Sequence, residues 1–119
     1  MAAGKRITIY GIKNCDTMKK ARAWLDAKGV AYDFHDYKSQ GVERKLLETW
    51  ARSVGWEIIL NRAGTTFRKL PDGEKQGLGE TKAIALMLDQ PSMIKRPVLD
   101  LGSKLLVGFD PAAYDAALG

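Results

Sequence analysis

The 119-residue chain contains one cysteine and one histidine. One cysteine cannot form an intramolecular disulfide, and with a single histidine it can complete neither a zinc site nor a Cys pair. No apolar run approaches the roughly 20 residues that a membrane-spanning helix needs, and the start, MAAGKRITIYG, has no long apolar leader-type segment. Lys and Arg number 19 against 14 Asp and Glu, a formal net charge of +5. Those basic residues are spread along the chain without a dense run or a recognised nucleic-acid motif. The charge therefore points to a basic surface around a site for small anions. With 45% hydrophobic and 28% charged residues, the composition suits one folded domain spanning 1–119, expected to be soluble and cytoplasmic, with no metal and no bound cofactor.

Hydrophobic spacing orders the elements. RITIYGI, residues 6–12, alternates Ile7, Ile9 and Gly11 against Thr8 and Tyr10, which predicts a central strand buried on both faces. Met18, Ala21 and Leu25 recur at helical spacing and predict a helix over about 17–28, stopped by Gly29. Val30, Tyr32 and Phe34 in VAYDFHDY predict a second strand, parallel to the first. Residues 40–93 then change character. GVERKLLETWARSVG places Val42, Leu46, Trp50 and Val54 on one helical face with Leu47 beside it, and GETKAIALMLDQP forms a second helix ended by Pro91. WEIILNRAG carries no clear pattern, and FRKLPDGEKQGL reads as polar turn chemistry around Pro71, Asp72 and Gly73.

The last segment returns to strands. RPVLDLGSKLLVGF predicts a hairpin of 98–101 and 104–107 that turns at Gly102 and Ser103. DPAAYDAAL predicts a helix with Asp110 as N-cap and Pro111 in its first turn. Trp24, Trp50 and Trp56 read as core residues, and His35 as structural or edge-exposed.

A lone cysteine is more often a buried small hydrophobe than a reagent. Cys15 differs in its placement, between the first strand and the start of the first helix. Helix N–H groups and cations lower a thiol pKa, and Lys13, Lys19, Lys20 and Arg22 lie nearby in sequence, with Asp16 acting the other way. Without a second cysteine, a mixed disulfide at Cys15 must be resolved by an external thiol, and glutathione is the abundant cytosolic candidate.

The order β-α-β, helices, β-β-α, with a cysteine at the first helix, is similar to the thioredoxin/glutaredoxin arrangement, a mixed α/β sheet. That fold presents a cis proline opposite the cysteine, and Pro97 in KRPVL stands in the matching place. With the helical insertion at about 40–93 and the segments ITIYGIKNCDT, LNRAG and IKRPV, the chain from Ile7 to Leu118 resembles the ArsC/Spx-like family of arsenate reductases and their relatives, most of all its YffB-type branch. The resemblance implies that Cys15 is the redox-active catalytic cysteine. It also implies that Arg62 and Arg96 hold an oxyanion or the carboxylates of an incoming thiol, and that Asn14, Thr17 and Pro97 complete the substrate- or glutathione-binding set. A guanidinium suits that task, because it keeps its charge and forks onto carboxylate or arsenate oxygens.

Two departures from the family pattern shape the functional expectation. Arsenate reductases carry a histidine and a third arginine where this chain has Gly11 and Gly108, which implies poor arsenate reduction and vacant space beside the thiolate. Spx-type regulators carry a second cysteine where this chain has Met18. The implied function is a glutathione-dependent thiol–disulfide or oxyanion reductase. Glutathione is then the co-substrate, a glutaredoxin or a protein disulfide is a further candidate partner, and neither nucleic acid nor membrane is expected. The alternative is an Spx-like protein-binding module, for example on RNA polymerase, without catalytic turnover.

Overall fold

β-Branched and aromatic side chains at the start of the chain form a short strand, β1 (Thr8–Gly11), whose alternate residues Ile9 and Gly11 are buried. A twelve-residue helix, α1 (Asp16–Ala27), follows and buries Met18, Ala21 and Leu25. It ends in a Schellman motif. The Val30 N–H donates to the Leu25 carbonyl at 3.0 Å and the Gly29 N–H to that of Asp26 at 3.1 Å, with Gly29 at φ 71°. The chain then enters β2 (Asp33–Asp36), parallel to β1 with Thr8 opposite Asp33 and Gly11 opposite Asp36. Near the C-terminus, β3 (Val98–Asp100) runs antiparallel to β1, and β4 (Leu105–Val107) antiparallel to β3. The four-stranded sheet has the order β2-β1-β3-β4.

The computed structural model describes residues 7–102 and 104–118. Arg6 and Ser103, assigned to the first strand and the hairpin turn by sequence, lie outside the described residues. Two compact units are present: the segments up to Ser39 and from Arg96 onward form one, and Gln40–Lys95 the other.

In the sheet unit, α1 and a C-terminal helix pack on one face. Ile9 and Leu99, paired across the ladder, meet Met18, Ala21 and Leu25 of α1 and Tyr114. The C-terminal helix (Pro111–Leu118) is capped as its sequence predicts: Asp110 Oδ1 accepts the Ala112 N–H at 3.1 Å. Phe109 and Trp24 both meet the Tyr114 ring edge-on, at 5.0 and 5.5 Å between centroids. The opposite sheet face carries Tyr10, His35 and Val98, which share register positions.

Several expectations need correction here. β1 is central but not buried on both faces, because Thr8 and Tyr10, which alternate with the buried Ile9 and Gly11, stay half-buried. The strand buried on both sides is β3, at Val98 and Leu99. The second strand starts only at Asp33 and stops at Asp36; Tyr37, read as its last residue, opens a one-turn helix, α2 (Tyr37–Gln40).

The helical unit contains α3 (Arg44–Val54), α4 (Trp56–Ile59), α5 (Thr65–Arg68), α6 (Asp72–Lys75) and α7 (Glu80–Asp89), then a 3-10 turn at Pro91–Met93. α3 is in contact with α7; α3 buries Leu47, Trp50 and Ala51, and α7 buries Ala83, Ile84 and Met87. The buried face of α3 is therefore turned from the predicted one: Val42 precedes the helix and Leu46 is only half-buried. WEIILNRAG resolves into α4 and a bridge between Leu60 and Ile94. FRKLPDGEKQGL, expected as turn, contains the end of α5 and all of α6. Trp50 is a core residue, whereas Trp24 and Trp56 are only half-buried. His35 sits on β2 at the sheet edge, against the rings of Tyr10 and Tyr37.

Asp110→Ala removes the cap of the last helix, which holds Tyr114 in the core. We expect a stability loss of about 1 kcal/mol, read as a lower urea midpoint at unchanged slope. An unchanged midpoint would mean that the cap carries no weight.

Candidate functional site

The sheet topology brings three chain positions to one end of the sheet. β1 and β2 run parallel and end there, and β3, running the other way, begins there. The chain leaving β1 supplies Cys15, the chain leaving β2 supplies Tyr37, and the chain entering β3 supplies Arg96 and Pro97. The Arg96–Pro97 peptide is cis, as expected from the sequence.

Cys15 is the N-cap residue of α1, with extended backbone at φ −118° and ψ 130°, and is partly exposed. The neutral thiol makes no capping hydrogen bond. Partial burial pushes its pKa up, but the Met18 N–H, the Arg96 guanidinium, which hydrogen-bonds the sulfur and attracts its charge, and the Thr17 N–H together bring it below the ordinary thiol value. Thr17 and Met18 are the second and third residues of the helix, whose N–H groups have no partner within it. The cations close in sequence take no part in this. Lys13, Lys19 and Lys20 are exposed, and Arg22 stacks on Phe34 at 4.5 Å while its Nε reaches the Tyr32 hydroxyl at 3.4 Å. The effective charge comes from Arg96, 81 positions away along the chain by subtraction of the two residue numbers.

The remaining candidates divide between the units. Asn14 and Thr17 are exposed on either side of Cys15, and Pro97 is buried. The Pro97 carbonyl accepts the Gly108 N–H at 2.8 Å. Arg62 belongs to the helical unit, where its exposed guanidinium lies 5.7 Å over the Trp56 ring. That unit also holds a cavity of about 410 Å³ lined by Thr65, Thr66, Lys69, Leu70, Pro71 and Gln90. None of its lining residues can attack or transfer a thiol, so the thiol chemistry is assigned to Cys15.

The two glycine departures have different consequences. Gly11 does not leave a vacancy: a Cβ there would collide with the thioether of Met18, which fills the space. The room expected beside the thiolate at this position is therefore absent. At Gly108 the space is open, with nothing within 4 Å of a would-be Cβ, and φ is +83°, where a side chain is strained. Sequence reasoning missed the filling role of Met18. Its signal was the coincidence of Gly11 and Met18 at the two positions where the family resemblance implied reactive side chains.

The model of the ArsC family matches residues 10–117. The chain belongs to the ArsC family. A solved YFFB protein is 64% identical, with a TM-score of 0.93 over 95% of this chain and 99% of that one. An arsenate reductase (ArsC) related protein from Brucella melitensis is 56% identical, with a TM-score of 0.77 over 95% and 94%. The global transcriptional regulator Spx of Streptococcus mutans is 27% identical over 106 residues, 87% of this chain and 77% of that protein. The ArsC-family fold, a thioredoxin-like mixed sheet, is thus the one found. Among the described residues no group of three or more His, Cys, Asp or Glu is placed to hold a metal ion, and no helix is long and apolar enough to cross a membrane.

Two outcomes follow from the geometry around Cys15. Because the lowered pKa keeps the thiolate populated below the ordinary thiol range, alkylation should stay fast as pH falls into that range and slow only beneath it. Arg96→Ala should move that profile to higher pH and Arg96→Lys should restore part of the shift; superimposable profiles would remove Arg96 from the account. Gly11→Ala should lower stability by about 1–3 kcal/mol through overpacking against Met18. Combined with Met18→Ala, its cost should be smaller than the sum of the two single changes; simple additivity in urea melts would contradict the contact.

Proposed function

We propose that this ArsC-family protein is a glutathione-dependent thiol–disulfide reductase that works through Cys15 as a single nucleophile. The observation that carries the reading is the acidified, partly exposed Cys15 sulfur, held between the first N–H groups of α1 and Arg96. A thiolate attacks a disulfide or oxidised sulfur, and its stabilisation also makes it a good leaving group when the mixed disulfide is resolved. No second cysteine exists to complete the exchange internally, so a small external thiol is required. Glutathione carries two carboxylates remote from its sulfur, and Arg96 is the guanidinium of the sheet unit that we assign to one of them. Asn14, Thr17 and Pro97 supply the remaining polar and backbone contacts in this reading.

Arsenate is a less suitable substrate. It is a compact tetrahedral oxyanion that needs several donors close to the attacking sulfur. Gly11 and Gly108 offer no side-chain donors at two such places, and Met18 occupies the space at the first. Each missing charged hydrogen bond costs about 1.5–3 kcal/mol, so two lower efficiency by a factor of hundreds or more. The similarity to Spx favours a second reading, a protein-docking module without turnover. Under that reading the acidified thiol has no task.

A paired assay on the purified protein separates these readings. Turnover of a glutathione mixed disulfide is measured beside turnover of arsenate supplied with glutathione and glutaredoxin. We expect the first to be readily detected, the second to be lower by hundreds-fold or more, and Cys15→Ser to abolish both. Mixed-disulfide turnover that survives Cys15→Ser would end the reductase reading.

A further inference from the structure

The helical unit carries a cavity that the thiol chemistry does not use. Its volume is about 410 Å³, within the range of about 300–1,000 Å³ usual for clefts that hold small molecules. Thr65, Thr66 and Lys69 line it from α5 and its C-cap, Leu70 and Pro71 from the chain that follows, and Gln90 from the C-cap of α7. These walls are held by the fold. Phe67 is buried and anchors α5. The Lys69 N–H donates to the Thr65 carbonyl at 3.1 Å, which puts the two side chains on one side of the turn. On the other segment, the Gln90 N–H donates to the Leu86 carbonyl, and the Gln90 carbonyl accepts the Met93 N–H, both at 2.9 Å. The Thr66 and Ser92 hydroxyls, 2.9 Å apart, tie α5 to the 3-10 turn that follows Gln90.

The lining has a single formal charge, the Lys69 ammonium, and no carboxylate. Asp72 and Asp89 adjoin it in sequence but do not line it. Among the described residues, the side chains of Thr65, Lys69 and Gln90 make no hydrogen bond or ion pair, so their donors are open to a ligand. An ammonium only donates, and a hydroxyl and a carboxamide donate as well as accept. The set therefore favours an anion with acceptor oxygens. A bare oxyanion would use these polar groups and leave Leu70 and Pro71, the apolar part of the lining, without contact. An organic acid uses both. We propose that this cavity is a binding site for a small organic carboxylate, its head at Lys69 with Thr65 and Gln90 donating to the oxygens, and its carbon chain against Leu70 and Pro71. The site goes beyond the reductase reading and does not rest on it, since Cys15 belongs to the other unit.

Hexanoate is a probe with both parts. Titrated into the isotope-labelled protein, it should give saturable amide shifts grouped at residues 65–70 and 90. Affinity should rise from acetate through butyrate to hexanoate, by up to about fourfold for each methylene that leaves water. Lys69→Gln, which removes the charge from the site, should weaken hexanoate by about tenfold or more, the size of one hydrogen bond between charged groups. Hexanamide, which removes the charge from the ligand, should bind the parent protein as weakly. Lys69 is exposed, so its substitution leaves the core intact. Lys45 is exposed on α3 and outside the lining, and Lys45→Gln should bind hexanoate as the parent does. Shifts that fail to saturate, or that scatter over exposed lysines, would overturn the site. Equal affinity in Lys69→Gln, or equal losses in Lys69→Gln and Lys45→Gln, would do the same. Hexanamide binding as tightly as hexanoate would overturn the choice of an anion, and inorganic phosphate binding as tightly would overturn the choice of an organic acid.

Discussion

The proposed function depends on one interaction, the pairing of the Cys15 sulfur with the Arg96 guanidinium at the N-terminus of α1. Partial burial alone raises the thiol pKa and leaves a weak nucleophile. The N–H groups of Thr17 and Met18 and the Arg96 charge together reverse that effect. Neither source is an isolated local feature. The N–H groups exist because β1 ends at Gly11 and the chain turns into α1 with Cys15 as its cap. Arg96 is available because β3 runs antiparallel to β1 and therefore starts where β1 ends.

The packing on both faces of the sheet keeps that arrangement in register. On one face, Ile9, Leu99, Met18, Leu25 and Tyr114 share one core cluster that packs α1 against the sheet. Met18 links the core to the site directly. It is fully buried, fills the space over Gly11, and lends its backbone N–H to Cys15. On the other face, the Tyr10, His35 and Tyr37 rings form a cluster at the ends of β1 and β2. Glycine at position 11 thus leaves the space that the Met18 side chain fills.

The sheet unit was largely legible because its signals are local. Strand alternation around Ile9, helical spacing from Met18 to Leu25, the stop at Gly29 and the cap at Asp110 each act within a few residues, and all four appear in the structure. The helical unit was less legible. One-turn helices such as Trp56–Ile59 and Asp72–Lys75 are too short to display a period. On α3 the adjacent Leu46 and Leu47 allowed two helical faces, and only packing against α7 selects the one with Leu47. At the site, Cys15 and Arg96 were marked by their motifs. The burial of Tyr37 and the filling of Gly11 by Met18 depend on contacts between elements, which no local pattern encodes. The lysines beside Cys15 in sequence suggested the right sign of charge from the wrong source.

The central claim is that the folded protein makes Cys15 a thiolate under conditions where a free cysteine is mostly a thiol. Titrating the ultraviolet thiolate absorbance of the reduced parent protein against pH measures this directly, since Cys15 is the single cysteine. The account predicts one transition with an apparent pKa clearly below the free value of about 8.5. A midpoint at or above that value would contradict it, because neither the helix N–H groups nor Arg96 would then be acting on the sulfur.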